Sequence, residues 1–188
     1  MDRAKRRATY ADLFDLPDNV VGEIIDGELY ASPRPASPHA FVTSAISRDL
    51  LGPLSGPPGS ARGPGGWWIL FEPEFHFGAD ILVPDLAGWR QERMTTVPNV
   101  TYFELAPDWA CEVVSPSTGR LDRVRKVPIY GRERVQCLWL VDPSTHTLEV
   151  YRLIDTRWTV LRTLGGDDVA RIEPFEEIEI EVGRWWIE

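Results

Sequence analysis

The spacing of apolar and polar positions divides the chain into short, separately legible elements. Thr9 to Leu16 predicts a short helix, with Thr9 as N-cap and Tyr10, Leu13 and Phe14 at helical spacing. VVGEIIDGELY, Val20 to Tyr30, predicts a hairpin turning at Asp26-Gly27. ASPRPASP then reads as an extended linker, because its prolines disfavour helix. Ser37 is the expected cap of a helix from Pro38 to Leu51 whose apolar stripe is Phe41, Val42, Ala45, Ile46 and Leu50. A Gly/Pro-rich loop follows, and after it come strands at Trp67–Phe71 and Phe75–Phe77.

The run ILVPDLAGWR carries Asp85 directly after Pro84, and the apolar strand Trp109–Val114 is expected at the centre of a sheet. Thr118 to Tyr130 predicts a helix with Asp122, Lys126 and Tyr130 at successive i, i+4 positions, kinked or shortened by Pro128. Val135–Val141 is a further apolar strand. Leu148–Leu153 and Trp158–Leu164 alternate as an antiparallel hairpin, and the tail holds one more strand. This order predicts an α/β (α+β) domain, a mixed central sheet flanked by a few helices with extra antiparallel strands at the C-terminal end. The expected boundaries are a disordered stretch at residues 1–8 and a single domain over 9–188.

Composition narrows the function classes. The net charge of -9 argues against a generic nucleic-acid coat protein. The charge is uneven: residues 120–134 hold six basic side chains against Asp122 and Glu133, while residues 165–188 are strongly acidic. The basic island either belongs to the candidate site, with which it coincides, or is simply a solvated helix face. No run approaches the ~18 apolar residues of a membrane span, and the basic N-terminus lacks the apolar core of a secretory signal. Cys111 and Cys137 lie in apolar runs and read as reduced core residues, which predicts a cytoplasmic protein. The pairs Trp67-Trp68 and Trp185-Trp186 read as core or dimer surface in preference to base-stacking platforms; exposed aromatics of that size would predict a homodimer.

Among twenty basic residues only Lys5 and Lys126 are lysine. Arginine keeps its proton and is a wide planar fork, whereas lysine is a compact charge whose pKa can be tuned. Glu112 lies inside an apolar strand, where a carboxylate is costly unless paired, hydrogen-bonded or metal-bound. Were the strands of Asp85 and Glu112 neighbours, both carboxylates could converge on Mg²⁺, which takes oxygen ligands from one or two carboxylates and a substrate phosphate. Lys126 could then orient water or neutralise the phosphorane-like transition state. The blander alternatives are a turn at Asp85, an arginine partner for Glu112, and an exposed Asp122–Lys126 pair worth a few tenths of a kcal/mol.

The ordered set Glu23-x-x-Asp26-Gly27, Pro38-His39, Val83-Pro84-Asp85, Glu112-Val113-Val114-Ser115-Pro116-Ser117, Asp122-x-x-x-Lys126-x-x-x-Tyr130 and Leu138-Trp139-Leu140-Val141-Asp142-Pro143 resembles the Uma family of restriction-endonuclease-like proteins, within the PD-(D/E)xK nuclease superfamily. The resemblance runs from about Thr9 to Arg152. It implies a restriction-endonuclease-like core and Mg²⁺- or Mn²⁺-dependent cleavage of DNA, with Asp85 and Glu112 as metal ligands. The superfamily lysine belongs two residues after the acid, where this chain has Val114; Lys126 on the next helix is its displaced counterpart. Glu23 and His39 are implied as further site residues, the first an outer metal ligand, the second a phosphate or proton contact. The competing class is a non-catalytic interaction module that keeps the nuclease fold in a defence or mobile-element system. A metal phosphohydrolase acting on a small substrate is a third.

Overall fold

The computed structural model describes residues 6–59, 61 and 63–187. The expected disordered stretch lies outside the described residues for 1–5. Within 6–8, Arg6 pairs with Asp12, and the Ala8 N–H donates to the Gly27 carbonyl, so that part is tied to the body of the protein.

A 3₁₀ turn at Tyr10–Leu13 replaces the longer helix predicted there; the Asp12 carboxylate accepts the Thr9 N–H and closes it. Strands β1 (Val20–Ile25) and β2 (Glu28–Pro33) form the expected hairpin. Asp26 and Gly27 both have positive φ, 55° and 80°, the conformation a two-residue hairpin turn requires. Strand β2 runs into the proline segment that reads as linker. Helix α1 spans Ser37–Leu54, and its N-cap is Ala36, not Ser37, with no side-chain cap hydrogen bond. The strands β3 (Trp67–Phe71), β4 (Phe75–Phe77), β5 (Asp80–Leu82), β6 (Leu86–Arg90) and β7 (Trp109–Val113) follow. Helix α2 is composite: α-helical at Gly119–Leu121, π-helical at Asp122–Lys126 and α-helical again at Val127–Arg132. Beyond it lie β8 (Cys137–Asp142), β9 (Thr147–Ile154), β10 (Arg157–Gly165), β11 (Val169–Ala170), β12 (Ile180–Glu181) and a 3₁₀ turn at Val182–Trp185.

Two main sheets result. The larger has the order β10-β9-β8-β7-β6-β3 and the smaller β2-β1-β5-β4, while β11 and β12 pair with each other. In the large sheet only β7 and β8 run parallel, and α2 is the crossover that a parallel pair needs. ILVPDLAGWR, one run in the sequence, is thus cut in two. Its first part belongs to the small sheet and its second to the large one, with Pro84-Asp85 at the crossing between them. Proline supplies no ladder donor, which suits a point where the chain leaves one sheet for another.

Alternation along β7 splits the core. Trp109, Cys111 and Val113 face an apolar cluster formed with α1 and the C-terminal segment, including Phe175 and Trp185. Ala110 and Val114 face a second cluster formed with the small sheet and α2. Of the tryptophan pairs, Trp67 and Trp185 are core residues, while Trp68 and Trp186 are half-buried. Both cysteines are free and buried. Among the described residues no helix is long and apolar enough to cross a membrane.

Candidate active site

The register of β6 against β7 pairs Leu86 with Cys111, so the next step along each strand sets Asp85 beside Glu112. A hydrogen bond fixes this. One Asp85 carboxylate oxygen accepts the Val113 N–H at 2.7 Å, and the other meets His39 Nε2 at 3.1 Å. Position 39 is in the first turn of α1, so the helix start delivers its imidazole to the Pro-Asp crossing. Among the described residues, the buried His39 Nδ1 meets no acceptor at ordinary hydrogen-bond geometry, though the Val113 backbone acts on the ring and favours its protonated form. Burial lowers the His39 pKa, but the hydrogen bond and charge of Asp85 outweigh it and leave the net shift upward.

Glu112 points from the opposite face of β7 to its neighbours Cys111 and Val113, toward α2. Its Oε1 accepts from Lys126 Nζ at 2.7 Å and from the Tyr130 hydroxyl. Lys126 Nζ also lies 3.0 Å from Glu23 Oε1 and 3.7 Å from Asp122 Oδ1. Glu23 Oε1 accepts the Val83 N–H at 2.8 Å, tying β1 to the strand end that leads into Asp85. Glu112, Asp122 and Lys126 are each only 3% exposed. The Asp122–Lys126 pair is therefore part of a buried network, not the exposed helix pair, and Glu112 takes lysine and tyrosine, not arginine, as partners.

The π turn helps place Lys126. The Val127 N–H donates to the Asp122 carbonyl, one residue farther back than in an α-helix. Pro128 has no N–H to give Val124, and its ring would press on that carbonyl in a regular helix. The wider turn just before it relieves that conflict, and Lys126 closes the widened segment.

Electrostatically the floor carries more acid than base. Burial drives the Glu112 pKa well up, opposed by Lys126 and reinforced by Asp122, Asp85 and Glu23. Asp122 is raised by burial too, with Lys126 opposing. Burial alone would lower Lys126, but Glu112, Glu23 and Asp122 hold its ammonium firmly protonated. Tyr130 is raised by burial and by Glu112, so it stays a donor. A cavity of 650 Å³ opens over this floor, with Glu23, His39, Asp85, Glu112 and Lys126 at its base.

All five residues singled out in the sequence thus stand around one cavity. Tyr130 and Asp122 join them; their i, i+4 spacing from Lys126 was the signal, but it also fits an ordinary exposed face. The basic island behaves otherwise. Arg125 pairs with Asp26 at 2.9 Å, Arg132 with Asp80 at 2.9 Å, and Arg123 reaches Asp142 and Glu149 at 3.7 and 3.8 Å. Most of its charge is answered within the chain.

A mixed sheet whose edge-to-centre strands bring a Pro-Asp carboxylate beside a strand glutamate defines a restriction-endonuclease-like fold. The chain belongs to the Uma2 family, described as putative restriction endonuclease, which matches residues 9–183. Among solved structures it is similar to a putative nuclease belonging to DUF820 from Anabaena variabilis ATCC 29413, with 22% identity and a TM-score of 0.70 over 95% of this chain and 97% of that one. At that identity the likeness speaks for the fold. No curated protein matches.

Proposed function

We propose that the chain is a divalent-metal-dependent DNA endonuclease, with Asp85, Glu112 and Lys126 as its catalytic core and Glu23 and His39 as supporting residues. One observation carries the reading: residues from β1, α1, the Pro-Asp crossing, β7 and α2 meet at the floor of one cavity. The donor chemistry fits Mg²⁺ or Mn²⁺. Four carboxylates face one lysine and one histidine, and the upward shifts of Glu112 and Asp122 mark a surplus of acid that a hard cation would offset. Among the described residues no three His, Cys, Asp or Glu side chains form a ready-made cluster; Asp85 and Glu112, set side by side by the β6–β7 register, would be the protein's two ligands. That number suffices for Mg²⁺, which completes its shell with water and substrate phosphate. When bound, the ion would lower the pKa of water and stabilise charge on the phosphate.

The chain's own residues do the rest. His39 and the Val113 N–H orient Asp85 from two sides. Tyr130 and Lys126 orient Glu112. Lys126, held protonated in a site shielded from water, is placed to stabilise the extra negative charge of hydrolysis, where a fixed charge acts more strongly than in solvent. Glu23 and Asp122 keep the ammonium in position. The test is cleavage of single-stranded circular DNA and of plasmid with Mg²⁺ or Mn²⁺ by the wild type beside Asp85→Asn and Lys126→Met, each checked for folding. Activity should fall at least about a hundredfold in both variants; equal cleavage by all three would overturn the assignment.

A further inference from the structure

Resting on the nuclease reading, we infer that the substrate enters the cavity as an unpaired DNA strand, with the indole of Trp186 as a wall on which a base stacks. Three observations lead there. The floor is deep: Glu112 and Lys126 are each 3% exposed and Glu23 is 6% exposed, so a scissile phosphate must descend to them. The walls above are largely apolar, formed by Val42, Pro35, Pro38, Pro116, Pro143 and Trp186. A duplex carries its phosphates on the outside of a wide rod and is gripped by many cations. Here three of the four arginines of α2, Arg123, Arg125 and Arg132, are engaged by Asp26, Asp80, Asp142 and Glu149. An apolar slot with a charged floor suits a single strand, whose bases are free to stack on aromatic groups.

Trp186 is built for that role. It lines the same cavity as Glu112 and Lys126. Its Nε1 donates to the Gly166 carbonyl at 2.9 Å, and its ring stacks on His146 with centroids 5.3 Å apart and planes 4° from parallel. The indole is therefore held in place before any ligand arrives, which reduces the ordering cost of stacking. At the cavity mouth, and among the described residues, the Arg34 guanidinium pairs with the exposed Glu72 alone, at 3.1 Å. A surface pair of that kind exchanges easily, so Arg34 is free to turn to a backbone phosphate.

The experiment measures binding of a labelled single-stranded oligodeoxynucleotide, and of the same sequence as a blunt duplex, by anisotropy in Ca²⁺. The full chain is used as wild type, Trp186→Ala and Trp186→Phe. The single strand should bind at least about tenfold more tightly than the duplex. Trp186→Ala should weaken it roughly 5- to 150-fold, the loss of one stacked base, and Trp186→Phe should retain most of the affinity. Duplex affinity equal to or above that of the single strand overturns the inference. So does a Trp186→Ala protein that binds the single strand as the wild type does. If Trp186→Ala fails to fold, the wild-type ratio and Trp186→Phe still decide. The two readings separate cleanly. Cleavage of duplex as fast as of single strand leaves the nuclease and removes this substrate; Trp186-dependent single-strand binding without any cleavage does the reverse.

Discussion

On one side of β7, Trp109 and Cys111 are sealed among aromatic and aliphatic groups; on the other, one residue away, Glu112 is equally sealed but among charges. The first side follows ordinary core physics. Trp109, Trp139 and Phe175 meet edge to face, with centroids 5.0 to 5.5 Å apart, and their burial stabilises the sheet against α1. The second side is stable only as a set. Lys126 offsets three carboxylates, and each of those is tolerable in the interior because Lys126 is there. The fold thus gathers its buried charges on one face of β7 and keeps the opposite face apolar.

Removing the cation is the strongest way to break that contrast. Lys126→Ala leaves Glu112, Asp122 and Glu23 buried without compensation and should cost about 3–5 kcal/mol at neutral pH. The loss should shrink as the solution is acidified. Glu112 and Asp122 have folded-state pKa values raised above the ordinary carboxyl range, so their contribution favours the fold at low pH and is lost as pH rises through the folded values. Without Lys126 both rise further. Denaturant melts of the variant and the wild type at several pH values measure this, and a loss independent of pH would show that the lysine contributes through packing alone.

On the dry face, Cys111→Ser keeps the shape but buries a hydroxyl, and should cost about 1–3 kcal/mol with no pH dependence across the carboxyl range. A pH-dependent cost there would mean that the two faces are not electrically separate. The smallest effect belongs to the outer side of α2. Arg125→Ala removes the half-exposed pair with Asp26 and should change stability by less than about 1 kcal/mol, an amount that added salt should reduce further. A larger loss would make the arginine belt part of the core's support.

The sequence carried β7, its partner β8 and the hairpins because alternation and continuous apolar runs are local signals. The candidate site was legible for a different reason. Glu112 in an apolar strand and Lys126 in an arginine-rich chain each stand out against their surroundings, and the spaced motifs drew in Glu23 and His39. What could not be read was set by distant partners. Asp26, Asp80 and Asp142 neutralise the basic island, yet nothing near them in sequence announces it. Pro84-Asp85 sits inside one apolar run, so its place between two sheets depends on where β1 and β7 lie. Ser37 has the right chemistry for a cap, but the chain enters α1 one residue earlier, with Ala36 at the boundary.

The π turn of α2 has a consequence for alignment. Residues four apart in an α-helix drift by about 40° around the axis, so Asp122, Lys126 and Tyr130 in a regular helix would fan out over about 80°. A π turn winds less per residue, and across Asp122–Lys126 the drift runs the other way. The α-helical step from Lys126 to Tyr130 then brings it back. Asp122 and Tyr130 consequently fall on the same side of Lys126, and the lysine and the tyrosine both reach one strand residue, Glu112. A helix without the irregularity would still pair the lysine with the tyrosine, four residues apart, but would swing the aspartate to the lysine's other side.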